Sequence, residues 1–110
     1  MDGGYTQEEY VRRVLDAYRG TPGTTGAVRR PDRMTASDLY RRGVPATVVE
    51  NAFVLAATRR LCRPPGAMPL GTIRSLAYFL PVIDEILEGH ISVDYFHYLR
   101  SKLRQAGALR

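Results

Sequence analysis

Tryptophan is absent, cysteine occurs once, and lysine supplies one of the 16 basic residues. A lone thiol, Cys62, cannot close an intrachain disulfide, and with His90 and His97 it falls short of the four ligands of a structural zinc site. No metal and no cofactor are therefore expected. Long apolar runs are also missing: stretches such as residues 52–57 lie far below the roughly 20 residues needed to cross a bilayer. No charged segment leading into an apolar one opens the chain, so the expectation is a cytoplasmic protein with no membrane partner. Runs that alternate apolar and polar residues are scarce, and no Asn-Gly or Asp-Gly turn joins two of them. That excludes a sheet as the organising element and leaves an all-α fold.

What is present suits one helical domain spanning residues 1–110. Hydrophobic residues make up 45% and charged residues 25% of the 110, the usage of a folding globular chain rather than a disordered one. Over residues 6–19 the apolar positions Tyr10, Val11, Val14, Leu15 and Tyr18 recur at spacings of three and four, one face of a helix. Thr6 with Glu9 three residues later forms a capping-box pattern at its start. Three glycines and a proline in residues 20–26 then predict a flexible loop, which runs through the basic patch Arg29, Arg30 and Arg33. A second helix is expected to begin near Thr35 or Ser37 and to end at Gly43.

Residues 46–62 predict a central helix that buries Val48, Val49, Ala52, Phe53, Leu55, Ala56 and Leu61, apolar around more than half its circumference. Three prolines make residues 63–71 a stiff connector. Thr72 is the expected cap of a helix reaching Glu88, with Ile73, Leu76, Ala77, Leu80, Ile83 and Leu87 inward. Pro81 should kink that helix or divide it in two. Ser92 opens a last helix with Tyr95, Phe96, Leu99 and Leu103 inward, His90 lies in the turn before it, and Gly107 releases the tail. The expected architecture is a bundle of five to six helices.

Positive charge is unevenly placed. Residues 29–63 hold eight Arg against three acids, a net of +5, and residues 94–110 hold four bases against one acid, a net of +3. Between them residues 64–93 carry one Arg against three acids, a net of −2. Arginine binds phosphate in a planar, bidentate way and stacks on bases, which lysine does not. Arg29, Arg30, Arg33, Arg41, Arg42, Arg59, Arg60 and Arg63 are thus candidate phosphate contacts, with Arg100, Lys102 and Arg104 as a second group. A genome rich in arginine codons would give the same bias without a ligand. Tyr98 stands one position off the apolar stripe of the last helix, close to Arg100 and Lys102, and is the candidate for an exposed ring that stacks on a base.

Residues 36–53 have the layout of a helix-turn-helix: a short helix, a glycine turn, and a second helix with a polar face. Were the second helix to read bases, Thr47, Glu50 and Asn51 near its start would face them, Asn51 with a bidentate contact to adenine. Two packed helices of a bundle produce the same pattern. Catalytic arrangements are poor: no Ser or Cys has a base nearby in sequence, and residues 20–26 lack the Gly-Lys-Ser/Thr ending of a phosphate-binding loop. Asp84 and Glu88 stand one helical turn apart and could hold a divalent cation, or the acidic cluster could pair with arginines. The expectation is a protein that is not an enzyme.

Residues 39–53 (LYRRGVPATVVENAF) are similar to a short helix, glycine turn and second helix in helical domains of bacterial and phage replication proteins of the DnaD and replisome-organiser kind. RecX-like helical repeats share that pattern, and Arg41 and Arg42 stand where it carries an aromatic residue. Residues 73–85 (IRSLAYFLPVIDE) resemble a helix found near the C-termini of helix-turn-helix replication and mobile-element proteins. The resemblance implies an accessory, non-catalytic DNA-binding role in replication or on a mobile element. The leading expectation is a small basic protein that contacts nucleic acid, DNA before RNA, through its arginines. The alternative is an interaction subunit whose basic face meets an acidic partner and whose Met68 and Leu70 dock on a larger effector protein. A chain this short also allows a helical homodimer.

Overall fold

Thr6 opens the first helix as its spacing to Glu9 predicts: its hydroxyl accepts from the Glu9 amide, and the Glu9 carboxylate accepts from the Thr6 amide. The hydrogen bond from Thr6 also holds the Glu9 carboxyl below the ordinary glutamate range. The computed structural model describes residues 6–89 and 91–107. Its elements are α1 (Gln7–Arg19), α2 (Arg30–Arg41), α3 (Ala46–Leu61), a 3-10 turn (Leu76–Phe79), α4 (Leu80–Leu87) and α5 (Val93–Gln105). The protein is an all-α bundle. The one strand-like feature among the described residues is an isolated parallel bridge between Thr24 and Ile73. His90 and Arg110 lie outside the described residues.

The second helix starts at Arg30, several residues before the predicted Thr35 or Ser37. Its start is fixed by Asp32, whose carboxylate accepts from the Arg29 amide at 2.9 Å and from the Leu76 amide at 2.9 Å. Pro31 sits in the first turn, where its missing N–H costs nothing. Asp32 is buried, and both its oxygens are used, so it closes the helix start onto the 3-10 turn. At the other end Gly43 takes a left-handed φ of 76°, and the Val44 amide reaches back to the Leu39 carbonyl, a Schellman turn. The Tyr10 hydroxyl donates to the Val44 carbonyl at 2.6 Å, pinning this turn to α1.

Thr72 does not cap a helix. Residues 71–75 are extended because loop backbone satisfies Ile73: its amide donates to the Gly23 carbonyl, and its carbonyl accepts from the Thr25 amide. The loop is therefore tied down at its middle. Pro81 divides the segment in two, as its position predicts: the 3-10 turn ends at Phe79, and Pro81 falls in the first turn of α4. Four positions expected inward are exposed, namely Leu61, Ala77, Leu87 and Tyr95. The first three sit at or beside helix ends, where a stripe of contacts runs out, and Ala77 lies in the 3-10 turn rather than an α-helix.

α3 is the central helix, with every residue from 52 to 58 buried. One side of it joins α1, α2, the 3-10 turn and α4 in a core that holds Tyr18, Phe53 and Phe79. Its far side, through Val54, Leu55 and Ala57, packs on Phe96, Leu99 and Leu103 of α5.

Candidate nucleic-acid interface

The periodicity of α5 sets what the helix shows to solvent. Phe96, Leu99 and Leu103 recur at three and four and are buried. One residue earlier, Tyr95, Tyr98 and Lys102 recur at the same spacing on the neighbouring stripe. Tyr95 is 46% exposed and Tyr98 55% exposed. Their rings lie 6.3 Å apart at an angle of 24°, a stacked pair, and the Lys102 ammonium stands 5.4 Å from the Tyr98 ring centre. Tyr95 was missed by sequence reasoning that placed it on the same face as Leu99; the one-residue offset between the two stripes is the signal that separates them.

The arginines divide by what holds them. Arg41 pairs with Asp38 at 2.8 Å and Arg42 with Asp84 at 3.3 Å. Arg59 grips Glu85 with two guanidinium hydrogen bonds, one of them at 2.8 Å. That pairing raises the Arg59 pKa further above its ordinary value, with Tyr95 adding to the effect, and it holds the Glu85 carboxyl below the glutamate range. The acidic cluster thus spends Asp84 and Glu85 on arginines. Among the described residues no group of three or more His, Cys, Asp or Glu is gathered to hold a metal ion.

The polar face of α3 is covered from both sides. Arg13 of α1 makes a bidentate contact with Glu50, at 2.9 and 2.7 Å, and Arg100 of α5 donates to Asn51 Oδ1 at 2.9 Å. Thr47 stays exposed. Asn51, which would read adenine from a recognition helix, has its carbonyl oxygen committed to Arg100.

Arg29, Arg30 and Arg33 are exposed at the start of α2, and Arg104 is exposed at the end of α5; none has an ion pair with a described acid. Arg60 and Arg63 likewise lack a carboxylate partner among the described residues. Both line a groove of about 410 Å³ with Ala56, Arg59, Leu70, Tyr78 and Val82. Arg60 donates to the Gly71 carbonyl at 2.8 Å and to the Tyr78 hydroxyl at 3.3 Å. Arg59 also lines this groove, its guanidinium held by Glu85. α5 packs on α3 through Phe96, Leu99 and Leu103, which brings parts of the two positive segments of the sequence together. The α2 group is set apart, with Arg33 on a separate groove between α1 and α2.

No family model, curated protein or solved structure matches this chain. Among the described residues no helix is long and apolar enough to cross a membrane.

Proposed function

We propose that the protein binds single-stranded nucleic acid along a track from Arg60 and Arg63 at the end of α3, past Arg59, to Tyr95, Tyr98 and Lys102 on α5. The observation that carries this reading is the stacked, half-exposed Tyr95–Tyr98 pair with the Lys102 ammonium over the Tyr98 ring. Exposed rings flanked by basic residues offer unpaired bases a stacking surface while the cations take the phosphates. α3 serves as a core helix, so base reading from a recognition helix has no part in the proposal. DNA is the favoured strand, through the resemblance to DnaD-like and mobile-element replication proteins, and the role is accessory binding rather than catalysis.

Fluorescence anisotropy with a labelled single strand tests it. If about four phosphates are neutralised, affinity falls roughly fiftyfold between 50 and 200 mM salt. Replacing Tyr95 and Tyr98 together by Ala costs about 1–3 kcal/mol per lost stack. Affinity that ignores both salt and the double replacement overturns the reading.

Met68, 79% exposed, and Leu70, 46% exposed, favour a second reading in which the connector docks on a larger protein. Purification from the host with and without nuclease separates the two: a stoichiometric protein partner that survives nuclease supports docking.

A further inference from the structure

The track ends in a groove whose chemistry differs from the rest of it. We infer that this groove is a subsite for a terminal phosphomonoester, holding the last nucleotide of the bound strand; the inference rests on the nucleic-acid reading above and specifies one end of it.

The groove wall is cationic and carries no acid. Arg59 is committed to Glu85, which leaves the Arg60 and Arg63 guanidiniums as uncompensated charges. Arg60 is already aimed. The Gly71 carbonyl and the Tyr78 hydroxyl each accept one of its hydrogen bonds, and a guanidinium has five N–H groups, so three remain to donate. Gly23 allows this pose: a Cβ there would stand 3.0 Å from Arg60 Nε, on a backbone with φ of 92°. Holding the group in advance removes part of the ordering cost of binding.

The charge of the ligand then matters. A terminal phosphate carries about −1.5 to −2 at neutral pH and three strong acceptor oxygens, whereas each internal phosphodiester carries a single charge. Two guanidiniums without a carboxylate between them match the former. Arg59 and Arg60 stand in the last turn of α3, where the helix dipole disfavours anions, and their charge offsets it. Ala56, Leu70 and Val82 give the groove an apolar side on which a base can lie, and the Tyr78 ring carries the Arg60 guanidinium over one face, 6.0 Å from its centre, which further holds that group. The volume of about 410 Å³ falls in the lower range of small-ligand sites, enough for one nucleotide.

The test measures anisotropy with three single-stranded DNA probes of one sequence, about 12 nucleotides long, carrying a 5′-phosphate, a 3′-phosphate or neither. One phosphorylated end is expected to bind about tenfold tighter than the bare strand, the worth of a charge-assisted hydrogen bond. Arg63→Gln should abolish that discrimination, and since Arg63 makes no hydrogen bond or ion pair among the described residues, the variant keeps its fold. Arg60→Gln should do the same, with circular dichroism to confirm folding. Equal affinity for all three probes, or a preference that survives Arg63→Gln, overturns the subsite and leaves the nucleic-acid reading standing. Absence of binding to every probe overturns that reading and the subsite with it.

Discussion

The core beneath α1, α2 and the 3-10 turn gathers sixteen buried residues, fourteen from five elements and two from connecting segments, whereas the core beneath α5 gathers six from two elements. In the larger one, Phe53 and Phe79 meet edge to face with centroids 4.8 Å apart, and Tyr18 packs on both. Polar ties reinforce it: Asp32 joins α2 to the 3-10 turn, and Tyr10 joins α1 to the turn after α2. In the smaller one, three side chains of α5 lie on three of α3, with Val82, Ile86 and Ile91 at the margin and the Arg100–Asn51 hydrogen bond at one end. Stability scales with apolar area removed from water, so the two halves of α3 are held unequally. The helix with the proposed stacking surface is thus the one attached by the smaller core, consistent with binding elements lying at the less stable end of a fold.

Truncation in each core gives the largest contrast. Phe79→Ala should cost about 3–5 kcal/mol, close to the whole stability of a small domain, and denaturant unfolding should show global loss of the native state. Leu99→Ala should cost about 2–5 kcal/mol by the same reckoning, yet its effect should be local. Native-state hydrogen exchange should show α5 amides opening more readily than those of α1 and α3 in the parent protein, and more so in Leu99→Ala, while α1 amides change little. If α5 exchanges only with the global unfolding of α1 and α3, the two cores are one cooperative unit and the contrast fails.

A subtler defect sits in the larger core. Tyr18 is fully buried, and its hydroxyl has no hydrogen-bond partner among the described residues; burial, with the nearby Asp32 charge adding, pushes its pKa up. Leaving a buried hydroxyl unpaired costs about 1–3 kcal/mol, so Tyr18→Phe should be neutral or should stabilise by about 1 kcal/mol, read from the denaturant midpoint. A clear loss of stability would mean that the hydroxyl has a partner in solution and that the larger core is better satisfied than its geometry shows.

Much of the scaffold was legible because helix periodicity and caps are local. Thr6 with Glu9, Ser92, Gly43 and Pro81 each mark a boundary through chemistry within a few residues, and each boundary falls there. The start of α2 was hidden because its anchor, Asp32, bonds an amide 44 positions away, at Leu76, and because three arginines around it read as a ligand patch. Ile73 escaped for the same reason, its partners lying in a loop far back in the chain. For the candidate interface the charge pattern located the cations, but only the fold divides Arg59, paired with Glu85, from Arg60 and Arg63, and only the helix phase brings Tyr95 out beside Tyr98.

The weakest of these links is the Arg59–Glu85 pair, which ties α3 to α4 between the two cores. The hydrogen bonds from Arg59 lower the folded-state pKa of Glu85, so its stabilising contribution is complete above the ordinary glutamate pKa. It fades as pH falls through the lowered folded-state value. Both side chains are about half exposed, and solvent screening limits the pair to about 1 kcal/mol or less. Carbon-detected NMR titration should place the Glu85 midpoint below the ordinary glutamate range, and Arg59→Met should return it to that range. Acidification through that midpoint should neutralise Glu85 and release the already charged Arg59, so single-strand affinity should rise modestly as pH falls even though stability declines. An unshifted Glu85 midpoint would break the ion pair as a feature of the solution structure and leave Arg59 available to phosphate at every pH.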